Sequence, residues 1–291
     1  MLARLYRLAA LVPLPVAHAL GSLLGVVAWL IPNSFGRRTR FHIARCLPAL
    51  GRLARERLAL RAMREAGKAL TELPILFAGA ESRFVRMVRA YHGRELLDAA
   101  LAAGKGVVAV SPHLGAWEMM GLAYSRVVNG NCVSMYRPQD EPWDSLLMQG
   151  RGRFGGALAP SDRGGRRRLL ERLRHGGSVG VLPDQDPPTG SGVFAPFFGI
   201  AAHSPTLPTR LARRTGAALI LCYAERLTWG RGFVIHFEAP PQGVADEDEA
   251  RAVAAINAGV ESCIRRLPEQ YYWGYMRFRR RPPGEPPFYP W

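Results

Sequence analysis

A histidine and a glutamate five positions apart, His113 and Glu118, follow a short apolar run in the stretch AVSPHLGAWE at residues 109–118. In a regular helix, positions five apart lie about 140° apart around the axis. The two side chains therefore meet only if His113 precedes the helix, which the backbone interruptions at Pro112 and Gly115 favour. A carboxylate on one ring nitrogen fixes the tautomer and raises the basicity of the other. We interpret His113 as a candidate general base and Glu118 as its partner.

The sequence offers no protein nucleophile beside this pair. Ser111 lies in no G-x-S-x-G elbow, and the four cysteines are far apart without a CxxC pair. The seven histidines are scattered and no H-E-x-x-H occurs, so we expect neither a metal nor a cofactor. An isolated histidine near an acid is more often a structural hydrogen-bonded pair. If the pair is catalytic, the nucleophile belongs to the substrate, which predicts direct transfer of an acyl group from a thioester to a hydroxyl.

Alternating strand and helix patterns position these residues. Glycine-bounded runs such as GKGVVAV and SVGVLP indicate buried strands, and amphipathic segments between them indicate helices, whereas residues 82–103 show a helical period throughout. This alternation predicts an α/β fold with a mainly parallel sheet flanked by helices and with ligand loops at the carboxyl ends of the strands. Asp184, Gln185 and Asp186 follow such a strand on the same edge as His113, where they either contact the acceptor or form an ordinary turn.

The N-terminal segment is apolar. No charged residue occurs from Leu8 to Pro32, a length that crosses a hydrocarbon core of about 30 Å if it forms one helix. Pro13 and Pro15 argue against one helix and predict a shorter one, from about Val16 to Ile31. We expect residues 1–33 to form an N-terminal membrane-anchor helix and residues 34–291 to form an acyltransferase domain. A secretory signal and a buried core helix are the alternatives, and arginines at both ends leave the topology unassigned.

The charge of the chain favours an anionic partner. Lys and Arg number 39 against 23 Asp and Glu, a formal charge of +16 in a chain of 291 residues. Nucleic acid, an anionic membrane, a phosphorylated substrate and an acidic carrier protein are all attracted to such a surface. No spaced motif of a DNA or RNA module occurs, so we expect no nucleic acid. The aromatic and arginine-rich tail EQYYWGYMRFRRRP, with Arg277, Arg279, Arg280 and Arg281, suits a membrane interface.

Five blocks together carry a family resemblance. HLGAWE is followed by YRP at 136–138, GRGRFG at 150–155, PDQDPPTGSGVFAPFFG at 183–199 and PEQYYWGYMRFRRRP at 268–282. In order and spacing the chain resembles, over nearly its whole length, the bacterial lipid A late acyltransferases, the lauroyl and myristoyl transferases of the lysophospholipid acyltransferase superfamily with its H-x4-D/E motif. Many relatives have asparagine where this chain has Ala116, a departure that bears on acceptor and chain-length preference.

The resemblance implies a reaction and a location. A fatty acyl chain passes from acyl carrier protein to a hydroxyl of a lipid A precursor, an acylated phosphoglycolipid, at the cytoplasmic side of the bacterial inner membrane. The expected partners are the acyl carrier protein thioester, the glycolipid acceptor and the anionic inner membrane. Acyl chain length and the acylated hydroxyl do not follow from the sequence.

The resemblance also assigns residues. His113 is the base and Glu118 its partner, and a cation in GRGRFG, either Arg151 or Arg153, supports the oxyanion or the glycolipid phosphate. Further candidates for substrate binding are Arg137, Asp184, Gln185 and Asp186. Three phenylalanines either wall an acyl groove or form plain core: Phe194, Phe197 and Phe198.

Three other functions stay open at this stage. The first keeps the chemistry but acylates a different glycolipid or an aminolipid. The second is a non-catalytic membrane or nucleic-acid binding protein that uses only the basic surface, which does not require the polar residues at the strand ends. The third is a thioester hydrolase, in which water replaces the acceptor hydroxyl.

Overall fold

The computed structural model describes the backbone of residues 2–291 and the side chains of residues 6–291. Within that range the helices are α1 Leu2–Ala9, α2 Leu14–Leu30, α3 Ser34–Cys46, α4 Arg52–Ala78, α5 Glu81–Met87, α6 Arg94–Ala102, α7 Trp117–Val127, α8 Trp143–Arg151, α9 Arg163–Arg174, α10 Leu207–Thr215 and α11 Glu249–Arg266. The strands are β1 Val88–His92, β2 Val107–Val110, β3 Cys132–Tyr136, β4 Ala157–Pro160, β5 Ser178–Val181, β6 Gly192–Phe197, β7 Ile200–Pro205, β8 Ala218–Arg226 and β9 Phe233–Glu238.

Seven strands form one sheet in the order β1-β9-β8-β2-β5-β3-β4, and β6 and β7 form a separate antiparallel hairpin. The five strands from β8 to β4 are mutually parallel, whereas β9 is antiparallel to β8 and β1 is parallel to β9. The sheet is therefore mixed and mostly parallel with helices against it, which confirms the predicted α/β class.

The central strands are buried on both faces. In β2, Val108 and Val110 pack into one core with residues of α9, α10 and α11, while Val107 and Ala109 pack into a second core with residues of α6 and α7. Alternate side chains of a strand point to opposite faces, so a strand covered by helices on both sides needs apolar residues throughout. The run VVAV meets that need and fixes β2 at the centre of the sheet.

The apolar N-terminal segment folds against the rest of the chain. Helix α2 starts at Leu14, two residues earlier than predicted, because Pro15 lies in its first turn, where a missing backbone donor is not needed. It packs closely on α4 at glycines, since a Cβ on Gly67 would lie 1.9 Å from the carbonyl oxygen of Gly21. The opposite face, with Leu20, Leu23 and five further large apolar side chains between Val16 and Ile31, is exposed.

A helix that spans a membrane needs about 20 predominantly apolar residues. In the part of the chain that the structure describes, no single helix is long and apolar enough to cross a membrane. Helices α2 and α3 meet both criteria only as a pair, and the two are bent by 84° where they join. The anchoring role of residues 1–33 stays a prediction.

Two sequence predictions of local structure are wrong. Residues 82–103 are not one helix, because Val88–His92 form the edge strand β1 beside β9, a pairing that local periodicity does not report. Arg277 does not lie at a surface: it is buried and donates to the carbonyl of His203. Of the three phenylalanines considered for an acyl groove, Phe197 and Phe198 are buried in the core.

Candidate active site

His113 lies between β2 and α7, before the first helical turn, as predicted. The loop is held by backbone hydrogen bonds from two directions: Gly115 N donates to the carbonyl of Gln270, and Ala116 N donates to that of Ala224. Gly115 has φ of +64°, and a Cβ there would lie 2.0 Å from the oxygen of Ala224. Only glycine fits this position without strain. The HLG segment is thus a rigid support for the imidazole.

The partner of His113 is Asp184, which differs from the prediction. The Nδ1 atom of His113 lies 2.8 Å from Oδ1 of Asp184, and the backbone N–H of His113 donates to Oδ2 at 2.9 Å. Burial works to raise the pKa of the Asp184 carboxyl, but the two interactions with His113 hold it below its ordinary value. An ionised Asp184 fixes the ring with its proton on Nδ1. Asp184 therefore orients the histidine, and its contact with the acceptor stays a prediction.

Glu118 is engaged elsewhere. Its Oε2 accepts from Nε of Arg151 at 2.9 Å and its Oε1 accepts from Nη2 of the same guanidinium at 2.5 Å. The predicted hydrogen bond between Glu118 and His113 is consequently not formed, because the carboxylate in the first turn of α7 faces the end of α8 instead. Burial acts to lower the pKa of Arg151, but the Glu118 carboxylate raises it above its ordinary value. The result is a bidentate ion pair with the arginine side chain 28% exposed.

The structure separates the two arginines of GRGRFG. Arg151 forms the pair with Glu118, whereas Arg153 donates to the backbone carbonyls of Leu76 and Gly79 and lies over the Phe154 ring. Arg153 thereby holds its loop against the end of α4, and the role of its guanidinium is structural. Of the two, Arg151 is the one paired with the acid of the HLGAWE motif.

Gln185 lies at the second nitrogen of the imidazole. Its Nε2 is 3.1 Å from Nε2 of His113, so with the ring proton on Nδ1 the amide donates to the free lone pair. Asp186 accepts from Nδ1 of His203 at 2.7 Å, and its backbone N–H donates to the hydroxyl of Tyr275. Arg137, the remaining candidate, is exposed in the loop after β3. The PDQD block thus supports the histidine on both sides.

Two aromatic side chains that the sequence motifs do not assign to the site lie beside the imidazole. The rings of Trp117 and Tyr272 lie with their centroids 5.5 Å and 6.4 Å from that of His113, and 5.6 Å from each other. The backbone N–H of Tyr272 donates to the carbonyl of His113. The sequence signal was the aromatic tail EQYYWGYM, which the structure brings beside the histidine loop. The imidazole is therefore partly shielded from water.

No cysteine is suited to act as a nucleophile. All four are buried, and burial raises the pKa of Cys46, Cys222 and Cys263 to about 12 and raises that of Cys132 as well. A thiol acts as a nucleophile through its thiolate, which such pKa values exclude near neutral pH. The oxygen of Ser111 is shielded from solvent. With these side chains excluded as nucleophiles, the remaining reactive group is the His113–Asp184 pair at the strand end. Such a pair can act as general base toward a hydroxyl supplied by a substrate.

Known proteins resemble this chain over most of its length. The sequence profile of the family described as "Bacterial lipid A biosynthesis acyltransferase" matches residues 2–280. The chain is 29% identical to "Lipid A biosynthesis lauroyltransferase" of Escherichia coli K12, over 95% of this chain and 90% of the relative. It is 31% identical to "Lipid A biosynthesis palmitoleoyltransferase" of the same organism, over 95% and 89%.

A second kind of relative matches half of the chain. "Phosphatidylinositol mannoside acyltransferase" of Mycobacterium tuberculosis (strain CDC 1551 / Oshkosh) is 35% identical over 49% of this chain and 46% of the relative. The chain belongs to the bacterial lipid A biosynthesis acyltransferase family. It is an acyltransferase, as its family membership and its relatives show.

Proposed function

We propose that this enzyme transfers a fatty acyl group from an acyl carrier protein thioester to a hydroxyl of a lipid A precursor, with His113 as the general base. The observation that carries the proposal is the geometry of the imidazole. One nitrogen is fixed by buried Asp184, and the other lies beside a displaceable amide at the carboxyl edge of the sheet. Family membership supports the acyl transfer.

The reaction follows from the bonds that His113 makes. The acceptor hydroxyl takes the place of the Gln185 amide beside Nε2 of His113. Nε2 then removes the proton of this hydroxyl as the hydroxyl oxygen attacks the thioester carbonyl carbon. Asp184 stabilises the imidazolium that forms. The carbon–sulfur bond then breaks, the ester forms, and the departing thiolate takes the proton from Nε2. The ring returns to its starting state, and no covalent acyl-enzyme is required.

Arg151 has a distinct role in the proposal. Its guanidinium is partly exposed and bound on one side by Glu118, so its remaining donors are free to meet an anion. The thioester carbonyl oxygen develops negative charge in the transition state, and the acceptor carries phosphate. A planar guanidinium serves either group. Glu118, within this scheme, positions Arg151 instead of the histidine.

Location at the inner membrane, with the site on the cytoplasmic side, is also part of the proposal. The exposed apolar face of α2 and the formal charge of +16 suit an anionic lipid surface, where the acceptor resides. Acyl carrier protein is acidic and is drawn to the same charge. A basic protein that only adheres to anions has no need of the buried Asp184 beside His113.

The proposal is tested with purified full-length protein, an acyl carrier protein thioester and a lipid A precursor in mixed micelles. We expect acylated product from the wild-type protein and a loss of at least about a thousandfold in His113→Ala. His175→Ala is the matched control, because His175 is exposed just after the end of α9 and lies outside the site. Unchanged turnover in His113→Ala, with retained thermal stability, contradicts the assignment of His113 as base.

A second acceptor class has its own support. The mycobacterial relative is named for acylation of a phosphatidylinositol mannoside, which is also a phosphorylated glycolipid. A hydroxyl on such a lipid presents the same chemistry to His113. Supplying both acceptors in one reaction and identifying the products by mass spectrometry distinguishes them, and a mixture of acyl chain lengths in the donor pool identifies the preferred chain.

A further inference from the structure

The turn between β8 and β9 displays a single large apolar side chain. Trp229 is 88% exposed, more than any other large apolar side chain among residues 6–291. Its φ is +61°, in the left-handed region that bulky residues rarely adopt. Exposure of a tryptophan and a strained backbone both cost folding free energy, and such costs concentrate at functional positions. The turn is therefore a candidate contact surface.

The turn is rigid and joined to the N-terminal helices. The N–H of Leu227 donates to the carbonyl of Gly232 at 2.9 Å, closing the turn. A Cβ on Gly230 would lie 2.4 Å from Cα of Pro15, so the turn packs directly on the first turn of α2. The turn that carries Trp229 is therefore fixed against the N-terminal end of α2, a helix that exposes large apolar side chains of its own.

The charge around the turn fits an anionic lipid surface. Residues 227–232 contain Arg231 and no carboxylate. Arg231 is exposed, and its carbonyl accepts from exposed Arg89 on β1, so one arginine lies in the turn and a second binds its backbone. Tryptophan beside arginine is the composition found where proteins meet lipid headgroups. A lipid surface, unlike a protein partner, also accounts for the exposed apolar side chains of α2, the helix on which the turn packs.

The turn also lies at the edge of the sheet that carries the active site. Strand β8 is parallel to β2, and Ala224 of β8 bridges to Gly115 in the histidine loop. The chain reaches Trp229 five residues beyond that bridge. We propose that the turn Leu227–Gly232 inserts Trp229 into the membrane interface as a second lipid contact beside α2. This insertion presents the edge of the sheet that carries His113 to an acceptor in the membrane, so the inference rests on the proposed function.

The test measures binding of the full chain to vesicles of phosphatidylglycerol and phosphatidylcholine by co-sedimentation, without acyl donor. Trp229→Asn removes the ring but keeps a residue that tolerates φ of +61°, so the turn is preserved. We expect its vesicle partition coefficient to fall about tenfold, while Trp229→Phe retains most of the binding. Leu96→Ala is the control, because Leu96 is an exposed apolar side chain on α6, near the opposite edge of the sheet.

Each outcome decides the inference. Equal binding by wild type, Trp229→Asn and Leu96→Ala overturns it, as does an absence of binding by the wild type. The acyl-transfer assay supplies a further outcome: if Trp229→Asn changes only the apparent KM for acyl carrier protein and leaves vesicle binding unchanged, the inference is overturned, because the turn then binds the donor protein. If Trp229→Asn loses vesicle binding but the wild type transfers no acyl group, the lipid contact stands and the proposed function fails.

Discussion

Two buried carboxylates in this molecule bind basic side chains, yet only one lies at the active site. Asp184 accepts from one residue, through Nδ1 and the backbone N–H of His113. Glu72 accepts from both Nε and Nη2 of Arg226 and lies 2.9 Å from Nε2 of His18. Both carboxylate side chains are 2% exposed, but the His113 side chain is 16% exposed and that of Arg226 is 1%. The difference lies in the partner.

The comparison shows how one kind of ion pair serves structure or chemistry. Glu72 on α4 is saturated by a partner that stays protonated, and it joins α4 to α2 through His18 and to β8 through Arg226. Asp184 instead holds a ring whose side chain is 16% exposed and whose second nitrogen lies 3.1 Å from the Gln185 amide. The two pairs also cooperate, since Nη2 of Arg226 donates to the carbonyl of Gly115 in the histidine loop. The buried Glu72–Arg226 pair therefore helps to hold the loop of the partly exposed His113–Asp184 pair.

The largest expected effect separates Asp184 from Glu118. In Asp184→Asn the amide no longer favours the proton on Nδ1, so the tautomer with a basic Nε2 is lost. We expect kcat/KM to fall about a thousandfold, equivalent to about 4 kcal/mol of transition-state stabilisation. The measurement is steady-state acyl transfer, with thermal unfolding to confirm that the variant is folded.

Glu118→Gln is the matched control for that change, because it also converts a carboxylate to an amide. It weakens the hold on Arg151 but leaves the histidine in place, so we expect a loss of about tenfold. A loss in Glu118→Gln equal to or greater than that in Asp184→Asn contradicts the assignment of Asp184 as the orienting carboxylate.

The structural pair predicts a stability effect of somewhat smaller size. Burial works to raise the pKa of the Glu72 carboxyl, but Arg226 and His18 hold it below its ordinary value. Glu72→Gln leaves the charge of Arg226 with only Glu65 as an acidic partner. We expect the free energy of unfolding to fall by about 3 kcal/mol in urea denaturation. Glu56→Gln, which breaks an exposed pair with Arg40, changes it by less than about 0.5 kcal/mol. Similar losses in both variants would falsify the distinction.

The sequence predicts the position of His113 but not its partner. The strand, the loop and the helix start follow from local signals within residues 104–118. Asp184 is distant in the chain, and its contact depends on the register of two strands. In that register Val110 pairs with Val181, and His113 and Asp184 each follow three residues later. The equal distances of His113 and Asp184 from the ends of two neighbouring strands could have predicted their contact. The five-residue spacing of His113 and Glu118 instead favoured an acid that is closer in sequence.

Other features depended on contacts that periodicity does not encode. Arg277 lies in a run of arginines typical of a surface, but the β6–β7 hairpin covers it and its guanidinium bonds to Ser204. The parallel sheet was predictable because β-branched runs alternate with helices. Strand β1 was not, because it forms only by pairing with β9 late in the chain.

A second histidine, His42, is fully buried and contrasts with the partly exposed His113. His42 is buried, with Nδ1 at 2.6 Å from the carbonyl of Trp273 and Nε2 at 2.7 Å from the hydroxyl of Tyr289. Burial lowers its pKa from 6.5 to about 4, against the raising effect of the Trp273 carbonyl. A lowered pKa in the folded state means that this stabilisation is present above pH 6.5 and is lost progressively as pH falls toward 4.

We therefore expect the folded state to lose about 2 kcal/mol through His42 between pH 7.5 and pH 5. The measurement is urea denaturation of wild type and His42→Gln at both pH values, because the amide keeps hydrogen-bonding capacity without titrating. Other acidic groups contribute equally to the two proteins, so the difference between their pH dependences isolates His42. Parallel pH dependences in the two proteins would mean that the pKa of His42 is the same in the folded and unfolded states. Burial would then not lower the pKa of this histidine.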